Sequence, residues 1–334
     1  MIRHISLDTL GGAPRVPLFR CVPEDADAPP QAGRHGFYAI PAQQGGSLCA
    51  GTDGIAAVSL ANRAARSHTR KENIIMNDTF DAHVHTCCSD AAPDQTPEEV
   101  CRAAWEAGLG HLCITDHDRM LPENQRRALT QAYGLDVISG CEFSGVTALS
   151  TDRRVTVHVL GLWLPEQSQS QALSAVLAHN QAQDFPSYCK AMLQKLWNLG
   201  IDPSGRGVEA SFALLQALNP HISHYGKNVV AHLLVHTGFA ATPQQAKDRW
   251  LSAFGDRLNF VPAGDYCRYT DLRQTMAAAN TGLSVLCHLY YYQLVPEENE
   301  ELVRRFRELG GQALEVDHGF YTPSSRRRSW DTAA

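Results

Sequence analysis

From residue 76 onward the sequence predicts an α/β fold, and three observations carry that reading. Apolar runs of strand character alternate with helices over 80–164. The helices have legible starts and stops, and metal-ligating side chains recur on the strands or just past them. Alternation of this kind predicts a parallel sheet, closed or open, with its chemistry at the carboxyl ends of the strands.

The first strand lies in FDAHVHTCCSD, residues 80–90. Phe80, Ala82 and Val84 alternate with Asp81, His83 and His85, the period of two that marks a strand. His83 and His85 then point to one side, where two imidazoles can bind one metal ion, and Asp90 on the following loop can add an oxygen ligand. Thr96-Pro97-Glu98-Glu99 opens a helix, with Thr96 as cap, Pro97 in the first position and carboxylates in the first turn. This helix runs to Ala107 and stops at Gly108. An apolar strand over 111–115 ends in Asp116-His117-Asp118. A second helix over 122–133 stops at Gly134, a strand over 136–139 leads into Gly140-Cys141-Glu142, and a strand over 155–164 carries His158. Taken singly, Glu142 reads equally as a surface acid and His158 as a core imidazole with a backbone partner. Separate explanations on four successive strands are hard to sustain, whereas convergence on one barrel mouth accounts for all of them.

Composition narrows the function classes. With 334 residues and 44% hydrophobic content, the chain can bury one large core, or a core plus a smaller domain. A net charge of −6 supplies no global positive field, so affinity for phosphate must be local and no stable nucleic-acid partner is expected. Ten cysteines without a C-x-x-C pair argue against a zinc ribbon and a thioredoxin-type redox site. A reduced, cytoplasmic protein fits that usage. No run of 18 apolar residues and no export signal is present, so no membrane association is expected. Residues 1–76 lack sustained periodicity and are interrupted by Gly11-Gly12, Pro29-Pro30 and Gly45-Gly46. They read as a poorly ordered extension.

DAHVHTCCSD (81–90), ITDHD (114–118), GCEFSG (140–145) and VHVLGL (157–162), in that order, resemble the motifs of the PHP (polymerase and histidinol phosphatase) domain, a metal-dependent phosphoesterase family. GLSVLCHL (282–289) is similar to the family's segment ending in Ala-His-Pro, with Cys287 in place of Ala and Leu289 in place of Pro. ALEVDHGFYTP (313–323) resembles its Ile-Glu-Val strand. The resemblance implies a distorted (β/α)7 barrel made of 77–166 and 270–323, a helical insertion over 167–269 and a tail over 324–334. Apolar spacing over 173–178 and 188–199, closed by Gly200, is helical. The insertion resembles that of the nucleotidase and exoribonuclease branch, where an Arg-Pro-His segment faces the substrate phosphate. NPHISHYGKNVVAHLL (219–234) matches that segment in two registers. His221, His224 and Lys227 are therefore candidate phosphate contacts, and each reads equally as an ordinary helix-surface residue.

By the same resemblance, His83 and His85 would hold a first divalent ion, and Glu142 would bridge it to a second. His158 and His288 would complete the second, while Asp90 and His117 would hold a third. Two or three ions of manganese, iron or zinc suit these nitrogen and oxygen donors. With Glu142, His117 and Asp90 at the catalytic centre, such ions would neutralise phosphate oxygens and lower the pKa of a water for in-line attack. The family's closing Ser-Asp-x-His strand has no counterpart in SSRRRSWDTAA (324–334). Its loss would leave the first and third ions each short of a ligand and a barrel edge open; Asp317-His318 offers a substitute from a different strand. The implied activity is hydrolysis of phosphate esters, of nucleotides or oligonucleotide ends, with a small phosphorylated substrate such as a nucleotide or short RNA. The alternatives are a truncated or degenerate fold that binds metal or nucleotide without turnover, and a phosphatase of histidinol phosphate or a cyclic sugar phosphate.

Overall fold

The computed structural model describes residues 79–89, 91–251 and 261–318, with the short segments 5–6, 18–19, 36–39, 324–325 and 327–328. Two dipeptide strands, β1 (Ile5–Ser6) and β2 (Leu18–Phe19), pair with each other. A third, β3 (Gly36–Ala39), belongs to the main sheet. The barrel proper begins with β4 (Phe80–Val84), α1 (Pro97–Glu106), β5 (His111–Ile114), α2 (Glu123–Tyr133) and β6 (Asp136–Ile138). β4, β5 and β6 pair in parallel. Local signals set these boundaries. Thr96 Oγ1 accepts from the Glu99 N–H at 3.2 Å, and Gly108 and Gly134 take the positive φ angles of 77° and 65° that end the two helices.

Past Ser139 the chain departs from the strand–helix alternation. β7 (Gly140–Ala148) turns over directly into β8 (Arg154–Leu162), and the two pair antiparallel along their whole length. β8 is also antiparallel to β10 (Leu283–Leu286), which runs parallel to β11 (Ala313–Asp317). The sheet is therefore mixed, where the alternation predicts parallel pairing throughout. β7 is buried on both faces for most of its length, so it lacks the period-two signature of a half-exposed strand. The strand order is β3-β11-β10-β8-β7-β9, with β9 (Thr270–Asp271) at one end. A backbone bridge between His117 and Glu142 joins this sheet to β4-β5-β6. The outer edge of β11, expected to lie open, is paired antiparallel by β3. This strand falls inside the segment read as a poorly ordered extension, most of which lies outside the described residues.

Two cores follow. Phe143, Met276 and Phe306 centre a cluster in which the barrel packs against α8 (Leu272–Ala279) and α9 (Pro296–Glu308). Leu173, Val176 and Leu177 of α3 (Gln171–Gln181) join that cluster, although α3 opens the segment expected to be a separate insertion. A second cluster is built by α4 (Phe185–Asn198), α5 (Val208–Leu218), α6 (Lys227–His236) and α7 (Pro243–Ala246). Among the described residues no helix is long and apolar enough to cross a membrane.

Gly282 marks the closest backbone approach behind the site. A Cβ there would lie 2.1 Å from the carbonyl oxygen of Leu162, on the neighbouring strand. Because backbone cannot move aside cheaply, Gly282→Ala is expected to cost about 3 kcal/mol, read as a lower urea midpoint with an unchanged slope.

Candidate metal centre

The strands deliver a set of imidazoles to one carboxylate. His83 is buried on β4, and His85 follows at the strand end with its ring centroid 5.2 Å from that of His83. His117 stands just past β5, held by the bridge to Glu142 and by the Asp118 N–H, which donates to the Glu142 carbonyl at 2.9 Å. The β7/β8 register sets His158 opposite Ser144, one pleat along from Glu142 and on the same face. His288 is the second residue past β10, at φ 29° and ψ 51°.

Glu142 is wholly buried. Its Oε2 is 3.2 Å from His83 Nε2, 3.0 Å from His85 Nε2 and 3.3 Å from His117 Nδ1. Its Oε1 is 3.1 Å from His158 Nδ1 and 3.0 Å from His288 Nε2. Burial alone pushes the carboxyl up, but the His117, His83 and His158 imidazoles outweigh it and hold Glu142 well below the usual carboxylate range. Burial pulls His83 down, yet the flanking carboxylates of Glu142 and Glu315 raise it well above the ordinary imidazole value. His158, where burial dominates, is pushed down to about 4.

Hydrogen bonds behind the imidazoles decide what faces Glu142. Ser89 has one hydroxyl proton, and Ser89 Oγ donates it to Asp116 Oδ1 at 2.6 Å. It must then accept from His85 Nδ1, 3.2 Å away. That fixes the tautomer. A neutral His85 so oriented turns the Nε2 lone pair toward Glu142 Oε2, 3.0 Å away. A divalent cation between that lone pair and the carboxylate oxygen would satisfy both. His83 Nδ1 is likewise tied to Glu315 Oε1 at 3.0 Å, leaving Nε2 toward Glu142. Groups able to hold an ion are His85, His117 and Glu142; Glu142, His158 and His288; His83, Glu142 and Cys287; and His83, Glu315 and His318, with the donor atoms of each within 4.8 Å of one another. These mostly nitrogen and oxygen sets fit divalent manganese, iron or zinc. Ser89→Ala frees the His85 tautomer and is expected to weaken metal affinity by about 10–100-fold, measured by competition with a chelating dye.

Of the residues singled out from the sequence, His83, His85, His117, Glu142, His158 and His288 meet at this point. His117 joins His85 and Glu142, whereas Asp90, its expected co-ligand, lies outside the described residues. His318 enters through His83 and Glu315, its ring 6.0 Å from that of His83. His224 reaches the mouth, stacked on His117 with centroids 4.8 Å apart. His221 is exposed on the preceding turn and Lys227 is the first residue of α6. The turn is seated on the loop after β4: Asn219 Nδ2 donates to the Cys87 carbonyl at 2.6 Å, and the Ser223 N–H and hydroxyl both donate to that of Cys88, at 3.0 and 2.9 Å. α3 grips the other side, where Gln181 Nε2 donates to the Asp118 carbonyl at 2.7 Å.

Sequence reasoning assigned no role to Ser89, Asp116, Cys287 or Glu315. Glu315 carried a usable signal, being a carboxylate between Leu314 and Val316 in an apolar strand, and a charge so placed needs a partner. Its Oε2 accepts from the His288 N–H at 2.7 Å.

Comparison with known proteins identifies the family. The family model for the PHP domain matches residues 81–258, more than half of the chain. A 5'-3' exoribonuclease of Haemophilus influenzae is 23% identical over 241 residues, covering 72% of this chain and 80% of that protein. The 5'-3' exoribonuclease Rnm of Salmonella typhimurium is 26% identical over 249 residues, 74% of this chain and 78% of that protein. Among solved structures, an amidohydrolase from Chromobacterium violaceum with bound sulfate superposes with a TM-score of 0.64 at 22% identity, covering 76% of this chain and 82% of the other. With the match to the domain model spanning the strands that carry His83, His85, His117, Glu142 and His158, the chain belongs to the PHP domain family.

Proposed function

We propose that the chain is a metal-dependent phosphoesterase that hydrolyses nucleotides or the phosphorylated ends of short RNA. The observation that carries the reading is the single carboxylate of Glu142 ringed by five imidazoles. Bound there, divalent ions supply positive charge for phosphate oxygens and acidity for an attacking water. Glu142 holds the two halves of the centre together, with His85 and His117 on one carboxylate oxygen and His158 and His288 on the other. Ser89 and Glu315 orient His85 and His83. His224, above His117, meets the substrate phosphate at the mouth, with His221 and Lys227 as further contacts from the same turn and helix. The exoribonuclease activity of the relatives supports a nucleotide-type substrate. The eight described cysteines are free, which supports a reducing, cytoplasmic setting.

The test is metal content measured alongside product release from 5'-phosphorylated oligoribonucleotides, mononucleotides, histidinol phosphate and a cyclic sugar phosphate. We expect bound divalent metal, release from the nucleotide substrates, loss on chelation and recovery on adding metal back. Turnover that survives complete removal of metal overturns the reading. So does bound metal without turnover of any ester, which leaves a binding protein.

A further inference from the structure

We propose that Cys287 Sγ is itself a ligand of this centre, giving the ion beside His83 and Glu142 a sulfur donor and biasing the site toward zinc or ferrous iron over manganese. The inference rests on the metal-centre reading above and deepens it. Cys287 directly follows β10 and precedes His288, and its side chain is fully buried. Its N–H donates to the His158 carbonyl at 3.1 Å, so the main chain is fixed. Sγ lies with a nitrogen of His83 and a carboxylate oxygen of Glu142 in one group whose members are all within 4.8 Å. The Glu142 carboxylate in the same group is fully buried, and both His83 and Cys287 interact with it.

The competing account is a thiol acting as a small apolar filler, which is how most buried cysteines behave. Cys113 and Cys141 show what that looks like. Their sulfurs meet main-chain atoms, including the carbonyls of Ile138 at 3.5 Å and Asp116 at 3.7 Å, and neither shares a group with two other donor side chains. Cys287 also makes a long contact of this kind, to the Val285 carbonyl at 3.7 Å, but it alone of the three lies beside an imidazole and a carboxylate. A thiol that binds metal gives up its proton to become the thiolate, and thiolate selects zinc and iron where an all-oxygen and nitrogen set accepts manganese.

Cobalt(II) distinguishes the two accounts. Full-length protein, stripped with a chelator, is titrated with cobalt while absorption and bound cobalt are recorded. A sulfur-to-cobalt charge-transfer band in the near ultraviolet should grow with occupancy and vanish in both Cys287→Ala and Cys287→Ser. Zinc affinity should fall at least about tenfold in Cys287→Ala, with manganese affinity little changed. Cobalt bound to the unaltered protein without the band overturns the assignment and leaves the metal centre standing; this measurement needs no variant to fold. A band that persists in Cys287→Ala also overturns it. Failure of cobalt, zinc and manganese to bind at all overturns both this inference and the function on which it rests.

Discussion

Glu142→Gln is expected to lower turnover on the order of 10³-fold, the loss seen when a group that stabilises charge at a reacting centre is removed. Glutamine keeps the volume but removes the negative charge shared by five imidazoles. One of its ends becomes a donor facing nitrogens that should face metal, so metal content should fall with activity. Full activity with full metal content in this variant would contradict the proposed centre. The same carboxylate sets an acid limit. Because Glu142 sits well below its ordinary value in the fold, the stability it contributes is present above about pH 4.3. It is lost as the pH falls through the depressed folded value. Acid unfolding of metal-free protein should be shifted in Glu142→Gln relative to the parent.

Glu315→Ala is the second large effect. Glu315 accepts from the His288 N–H through one oxygen and pairs His83 Nδ1 through the other, 232 residues away in sequence. Alanine leaves two buried donors without an acceptor, at about 1–3 kcal/mol each, and releases His83 to rotate. We expect a stability loss of about 3 kcal/mol or more by urea denaturation, and metal affinity lowered by about 10–100-fold. Glutamine has one acceptor oxygen, so Glu315→Gln should fall between the parent and alanine on both measurements. If Glu315→Ala matched the parent in metal affinity, Glu315 would not be orienting His83.

Elements governed by neighbours in sequence were legible in the sequence. Thr96 and Pro97 open α1 where their chemistry says they should, and Gly134 closes α2. His83 and His85 share a face because a strand has a period of two. Three things were not legible. The β7–β8 hairpin was hidden because β7, buried on both faces for most of its length, loses its alternation. The grouping of His117 with His85 and of His318 with His83 depends on which strand ends meet, and no local spacing reports that. The orienting roles of Ser89 and Asp116 depend on hydrogen bonds closed only by folding, across 27 residues in that pair. Ligand types are thus written locally, whereas their partnerships are a property of the closed barrel.

Much of the polar grip of the helical module on the barrel falls on main-chain oxygens of Cys87, Cys88, Asp118 and Ser144, with Asn180 also donating to the Asp118 carboxylate. Every amino acid carries a main-chain oxygen, so those mounting points persist through replacement of the side chains around them. A different set of helices bearing an amide and a hydroxyl at matching positions can be grafted onto the same scaffold, provided a group replaces His224 against His117. Chemistry and choice of substrate are therefore free to diverge at separate rates during evolution, and exchange of whole modules between relatives offers a practical route to altered specificity.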